Sequence, residues 1–293
     1  MPGSQSNLEI ARAIVQVLEG SGKCDAALAT VIRRAGSAPQ VEGARLLLYA
    51  DGRMLGTVGG GAIEAKVVEA CQETLRTGLN RRVEANLIRD LAMCCGGLME
   101  VFVEYLSAHP RLILIGAGHV AQAIAPVVTA LGFRLTVVDD RESMLTRPCF
   151  EQADRRAFDT DELADALPDL DPRDSLLIAT RDHQRDEHAL AHLIERPHAY
   201  LGMIGSQRKV RRVLARILRR FDERERARPD LSRVHAPVGL ALGGRTPAEI
   251  AVSIAAQLIA LRHGGAGTSM DLVERLAGST PNEIVDAAKK EAP

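Results

Sequence analysis

Tryptophan is absent from these 293 residues, and aromatic residues make up only 3%. Nothing here builds the row of rings on which single-stranded nucleic acid stacks. Net charge is also lacking. Lys plus Arg total 37 against 38 Asp plus Glu, a balance of -1. A dedicated polyanion binder would be basic overall, so that class is excluded. No apolar run approaches the ~18–20 residues that span a bilayer. The first residues carry neither the basic region nor the apolar core of a secretory signal. Cysteine is scarce and odd in number, at five, which rules out a disulfide framework. A reducing cytoplasm is the expected compartment.

What is present is an ordinary globular composition, 46% apolar and 26% charged. The length suits two domains. Helical spacing runs from Leu8 to Leu18. Ala26–Ile32 and Arg45–Tyr49 read as strands, and Asp51-Gly52 predicts a hairpin into Met54–Val58. A helix is expected over Ala62–Leu75, then strands over Arg81–Ile88 and Leu98–Leu106. Ser107-Ala108-His109-Pro110 reads as a linker.

Beyond it the rhythm changes to alternating strand and helix. Strands are expected at Leu112–Ile115, Leu135–Val138, Ser175–Ala179 and Tyr200–Ile204. Helices are expected at Val120–Leu131, near Glu187–Ile194 and over Gln207–Phe221. That alternation means a parallel sheet. Thr246-Pro247-Ala248-Glu249 combines an N-cap Thr, Pro at the first helical position and a capping-box Glu. It predicts a helix to about Leu261, and Thr280-Pro281-Asn282-Glu283 predicts a shorter one in the tail. The fold class is therefore α/β. An N-terminal α+β domain with a mixed sheet (1–108) precedes a Rossmann-like domain with a parallel sheet (109–265) and a tail (266–293).

The sharpest local signal is Gly116-Ala117-Gly118-His119-Val120-Ala121, directly after a strand and opening a helix. Gly116 permits the tight turn, Gly118 lets backbone approach a pyrophosphate, and Ala121 lets helix and strand pack closely. Helix-terminal amides would face the phosphates. Asp139 stands 21 residues after Gly118, where an acid can bind a ribose hydroxyl, with Asp140 beside it. NAD(P) binding, as an oxidoreductase or a nucleotide-binding scaffold, is the alternative function that this fingerprint raises. No separate acid–base pair accompanies it.

Two further constellations lie in the first half. Gly59-Gly60-Gly61 opens a helix, with Thr57 as a hydroxyl donor and Glu64 in the first turn. This is an anion-binding pattern, or a flexible turn with an ordinary cap. Cys94-Cys95-Gly96-Gly97 lacks the Cys-x-x-Cys spacing and the second ligand pair of a structural zinc site. It reads either as an accessible soft ligand or sulfur-handling thiol, or as two small residues beside a strand.

Taken together the motifs resemble the xanthine dehydrogenase accessory protein (XdhC/CoxI) family. The matching stretches in the first half are Gly36-Ser37-Ala38-Pro39, Gly56 through Glu64, and Cys95-Gly96-Gly97. In the second half they are Gly116 to Val120, Thr180-Arg181-Asp182-His183, Gly202 to Ser206, and His235 through Ile254. The resemblance covers roughly residues 8 to 262 in the family's order. It implies a chaperone rather than an enzyme, with no catalytic residues. Such a chaperone binds the molybdenum cofactor (molybdopterin), protects its sulfurated form and delivers it to an apo molybdenum hydroxylase of the xanthine dehydrogenase type. A cysteine desulfurase-type sulfur donor is the second implied partner, nucleic acid and membrane are not expected, and a homodimer is the default assembly. The implied contacts are Thr57, Gly59, Gly60, Gly61, Glu64, Cys94, Cys95, Gly116, Gly118, His119, Asp139 and His183. Cys95 is the candidate contact to molybdenum or its sulfur. The family pattern has one Cys where Cys94 and Cys95 stand, so the working thiol is open. The cleft between the halves is the natural ligand site on this reading.

Gln207 to Arg228 is rich in arginine. Val210, Val213, Leu214, Ile217, Leu218 and Phe221 form an apolar stripe, with Arg211, Arg212, Arg216, Arg219 and Arg220 largely opposite. Glu223 and Glu225 dilute the charge, so a solvated face is the first reading and an acidic partner enzyme the second.

Overall fold

The computed structural model describes residues 2–20, 24–36, 38–86 and 97–268. Two sheets are built, one in each half of the chain. The first half opens with α1 (Pro2–Leu18) and β1 (Ala26–Gly36), then β2 (Arg45–Tyr49) and β3 (Met54–Gly56). Helix α2 (Gly61–Thr77) leads to β4 (Arg81–Asn86) and β5 (Gly97–Leu106). The five strands lie in the order β3-β2-β1-β5-β4. Alternate side chains divide between two layers, as strand geometry requires. Ala27, Ala29 and Val31 pack toward Ile63, Val67 and Cys71 of α2. Ala26 and Leu28 pack toward Ile10, Ala13 and Val17 of α1.

Every pairing in this sheet is antiparallel, where a mixed sheet was expected. The reason lies in α2. It returns the chain in the direction of β3, as a βαβ crossover does, but it carries it from one edge strand to the other. Three strands stand between β3 and β4, so the two never pair.

The second half runs β6 (Arg111–Ile115), α3 (His119–Ala130) and β7 (Arg134–Val138). The short α4 (Glu142–Leu145), β8 (Asp154–Arg156) and α5 (Leu163–Ala166) follow. Next come β9 (Ser175–Ile178), α6 (His183–Leu193), β10 (Tyr200–Met203), α7 (Gln207–Glu223), β11 (Val234–His235) and α8 (Pro247–His263). The six strands, in the order β11-β10-β9-β6-β7-β8, are parallel throughout. This is the Rossmann order, with its reversal between β6 and β9. Buried apolar runs serve both faces. Ile113 and Ile115 face α6 and α7, while Leu112 and Leu114 face α3 and α8.

The capping box before α8 forms as the sequence predicts, with Thr246 and Glu249 satisfying each other's backbone amides. Helix α6 starts earlier than its apolar spacing suggests. Asp182 caps it by accepting the Gln184 and Arg185 amides at 3.0 and 2.9 Å, which makes His183 its first residue. The polar edge strand β8 and the two-residue β11 carry no apolar alternation that periodicity could find. The expected tail helix near Thr280 lies outside the described residues.

The halves meet at the amino ends of the parallel strands. His109 donates its backbone N–H to the Leu18 carbonyl at 3.0 Å. Arg173 pairs with Asp25 across the junction at 2.9 Å, and Asp25 also accepts the Tyr105 hydroxyl at 2.9 Å.

Candidate functional site

Open parallel sheets bind ligands beyond the carboxyl ends of their strands, at the point where strand order reverses. Here those ends carry the Gly116 loop after β6, Thr180-Arg181 after β9 and Gly205-Ser206 after β10. Gly116 is fixed by geometry. Its φ is +108°, and a Cβ there would overlap the Ala179 carbonyl of the neighbouring strand end.

The dinucleotide groove beside that loop is closed. Asp139 is buried, and its carboxylate accepts the Ala117 N–H at 2.7 Å. Arg141 donates to both its oxygens, Nε at 2.8 Å and Nη2 at 2.9 Å. Burial works against the charge of Asp139, yet the hydrogen bonds from Arg141 and Ala117 outweigh it and hold the carboxyl below its usual range. Asp140 is likewise engaged, by the fork of Arg181 at 2.8 and 2.9 Å. Arg185 reaches across to Asp159. With Phe158 and Thr160 these side chains leave a cavity of only about 20 Å³ above Gly116. Both oxygens of each acid are already engaged by an arginine, and the NAD(P) alternative finds no support.

The space lies on the other side of Arg181. A cavity of about 600 Å³ is walled by Thr180 to His183, Ile204 to Ser206, Asp186, Lys209, Val238 and Ile250. That size is within the usual range for small-molecule sites. Its floor is a polar chain. Asp186 is 1% exposed and accepts the Thr180 N–H at 3.0 Å and its hydroxyl at 2.7 Å. The Lys209 ammonium pairs with Asp186 and donates to the Ile204 carbonyl at 3.1 Å. Gly205 makes room for this lysine, since a Cβ would stand 2.8 Å from its Cδ. Ser206 caps α7 by accepting the Lys209 N–H at 3.2 Å. The first turn of α7 therefore faces the cavity with its positive dipole end. Ile204, Val238 and Ile250 supply an apolar wall. Among the residues singled out from sequence, His183 lines this space and is exposed, while Gly116 and Asp139 line the closed groove. Gly118 and His119 open α3 beside it, and His119 is exposed.

The first-half cluster stands apart, and no cavity wall is shared between it and the carboxyl edge among the described residues. Glu64 turns back over the glycine loop. Its carboxylate accepts the Val58 and Gly60 amides, each at 3.3 Å, and the Thr57 hydroxyl. Thr57 in turn accepts the Gly59 N–H at 3.1 Å. Gly61 is the first residue of α2. The anion in this loop is thus the protein's own carboxylate. Replacing Glu64 with Ala should lower stability by about 1 kcal/mol through the freed donors, and added inorganic phosphate should restore part of the loss. Thermal melts with and without phosphate check this. An unchanged melting temperature would mean the carboxylate contributes nothing there.

Cys94 and Cys95 lie outside the described residues. Among the described cysteines, Cys71 is buried in the first core, which pushes its thiol up to about 12. No group of three or more His, Cys, Asp or Glu able to hold a metal occurs among the described residues. The expected cleft between the halves exists, at about 330 Å³, but it opens at the amino ends of β6, β7 and β9. It is lined by Glu19, Gly20, His109, Arg111, Arg134, Arg173 and their neighbours. Among the described residues, none of the candidate cofactor contacts borders it. The pair that the sequence reading missed is Asp186–Lys209. Asp186 sits in a polar first turn of α6, and Lys209 is hidden among arginines.

Residues 112–258 match the XdhC Rossmann domain, and residues 21–86 match the XdhC and CoxI family. The chain belongs to the XdhC/CoxI family. Within this group it is 37% identical over 253 residues to "Uncharacterized protein YqeB" of Escherichia coli, covering 84% of this chain and 45% of that protein. It is 30% identical over 164 residues to a Bacillus subtilis protein named as a probable xanthine dehydrogenase subunit, covering 55% and 46%. The chain thus spans about half the length of these two curated relatives. A third, "Molybdenum cofactor insertion chaperone PaoD" of Escherichia coli, is 25% identical over 287 residues, covering 85% of this chain and 86% of that protein. A crystal structure of a xanthine dehydrogenase from Bacillus halodurans aligns with 94% of this chain and 98% of that one, at a TM-score of 0.47 and 22% identity. No helix among the described residues is long and apolar enough to cross a membrane.

Proposed function

We propose that this chain is an accessory protein for molybdenum enzymes, one that binds the molybdenum cofactor as cargo. The observation that carries the reading is the match along 86% of the length of a relative named as a molybdenum cofactor insertion chaperone. The geometry supports it. Molybdopterin combines a flat pterin with a terminal phosphate. The carboxyl-edge cavity pairs an apolar wall, from Ile204, Val238 and Ile250, with the first turn of α7 and Lys209. The finer steps belong to the same proposal. The cofactor is carried in its sulfurated form, loaded with help from a cysteine desulfurase-type donor, and delivered in the cytoplasm to an apo hydroxylase of the xanthine dehydrogenase type. The chain acts as carrier rather than catalyst, with Cys94 or Cys95 as the soft contact to the metal or its sulfur.

The test is anaerobic titration of the purified protein with molybdenum cofactor, alongside Cys94→Ala, Cys95→Ala and Lys209→Arg. Stoichiometric binding is expected, weakened about tenfold or more in Lys209→Arg and in one cysteine variant. No binding by any form would sink the proposal.

A further inference from the structure

Many arginines around the parallel sheet are held by carboxylates. Arg111, Arg141, Arg156, Arg173, Arg181 and Arg185 all sit in ion pairs. On α7 itself, Arg216 and Arg220 clamp the buried Glu187 at 2.7 and 2.8 Å. The same helix breaks that habit on its outer face. Arg208, Arg211, Arg212 and Arg219 are exposed, and none has a carboxylate partner among the described residues. Positions 208, 212 and 219 are four and seven residues apart, so they align along one side of the helix, with Arg211 flanking them. The row is roughly 16 Å long at 1.5 Å per residue. Like charges at such spacing repel and weaken the isolated helix. This row is therefore an unmatched field in a chain whose net charge is only -1.

Its position gives it a use. The row begins at Arg208, between Ser206 and Lys209, which both line the 600 Å³ cavity. A molecule that takes a ligand from that cavity must approach its mouth, where the row starts. We infer that the outer face of α7 is the docking surface for an acidic face of the protein that receives the cargo. The inference rests on the chaperone reading for the identity of that protein. A membrane does not suit the face. The apolar side of α7 is buried in the second core, and none of the large exposed apolar side chains is on this helix. Single-stranded nucleic acid does not suit it either, since no aromatic side chain is interleaved with the arginines.

The experiment uses the full chain with the combined Arg211→Glu, Arg212→Glu and Arg219→Glu substitutions, beside the same positions changed to Lys. Melting temperature and molybdenum cofactor affinity are measured first, and both should match the unsubstituted protein. Association with an apo xanthine dehydrogenase-type hydroxylase from the same genome is then measured across a salt series. The unsubstituted protein should bind with an affinity that falls as salt rises. The Glu variant should lose at least tenfold, and the Lys variant should retain most of the binding. Hydroxylase binding unchanged in the Glu variant would overturn the inference. So would binding of duplex DNA or anionic vesicles through these arginines while hydroxylase binding ignores them. The unsubstituted protein failing to bind hydroxylase despite holding cofactor would also overturn it. If hydroxylase binds through the row but no cofactor is held, the docking surface stands and the carrier reading falls.

Discussion

Replacing Asp186 with Ala should destabilise the protein by roughly 3–5 kcal/mol, the usual cost of stripping one partner from a buried ion pair. At the few degrees per kcal/mol expected for a chain of this size, the melting temperature should fall on the order of 10 °C. The physical reason is the company Asp186 keeps. Its carboxylate accepts two hydrogen bonds from Thr180 and pairs with the Lys209 ammonium, and its side chain is only 2% exposed. Without it, a lysine that is 12% exposed is left with the Ile204 carbonyl as its one remaining acceptor. Asp186→Asn retains an acceptor for Thr180 and should cost less. The informative control is the double change Asp186→Leu with Lys209→Met, which removes both charges at once. Buried pairs replaced together by apolar residues are often neutral in stability. The double variant should therefore recover most of the melting temperature while still failing to bind cofactor. Recovery of stability together with full cofactor binding would remove this pair from the site. A fall of under 1 kcal/mol in Asp186→Ala would show that the pair does not anchor the cavity floor.

Arg111→Met should produce a loss of the same order, at the opposite edge of the same sheet. Arg111 is 9% exposed and Asp174 is 4% exposed. The guanidinium donates to Asp174 through Nε at 2.8 Å and again through Nη2. It donates to the Asp169 side chain at 2.6 Å and to its carbonyl at 3.0 Å. These bonds, those to Asp174 first, raise the Arg111 pKa above its ordinary value despite burial. Asp169 is held below the usual carboxylate range, chiefly by Arg156 and then by Arg111. That carboxylate contributes stability above its unfolded pKa of about 3.9, and the contribution is lost as pH falls through its lower folded value. Methionine keeps the stem but leaves Asp174 with a single side-chain acceptor bond, from the Asp171 N–H at 2.7 Å. Arg111→Lys should recover less than half, because an ammonium cannot reproduce the planar fork. Because Arg111 follows directly on 107–110, limited proteolysis in that segment should accelerate as well. Urea unfolding coincident with the parent protein in Arg111→Met would refute the assignment.

The second half was more legible in the sequence than the first. Doubly buried strands such as Leu112–Ile115 announce themselves as unbroken apolar runs, and Thr246 with Glu249 marks a helix start without ambiguity. The strand order of the first half could not be read in the same way. Periodicity finds α2 but does not say that it links two edges. The site was legible by loop rather than by side chain. The Thr180 and Gly205-Ser206 stretches were recognised as motifs, yet Asp186 and Lys209 meet only because α6 and α7 pack side by side. The glycine fingerprint is legible and its groove is closed, because Arg181 and Arg185 reach across it to Asp140 and Asp159, pairings that no local pattern announces.

The attachment of the halves at the amino ends of β6, β7 and β9 carries a mechanical consequence. In many two-lobed binding proteins the load sits in the seam, so capture and discharge require the lobes to swing apart. Here the seam and the carboxyl-edge cavity lie at opposite ends of one sheet, and among the described residues every wall of that cavity comes from the second half. On the proposed carrier reading, the part of the cofactor held at the carboxyl edge can leave with the seam locked. The residence time of that part is then set by the contacts that hold it there, together with the proposed cysteine contact from the first half.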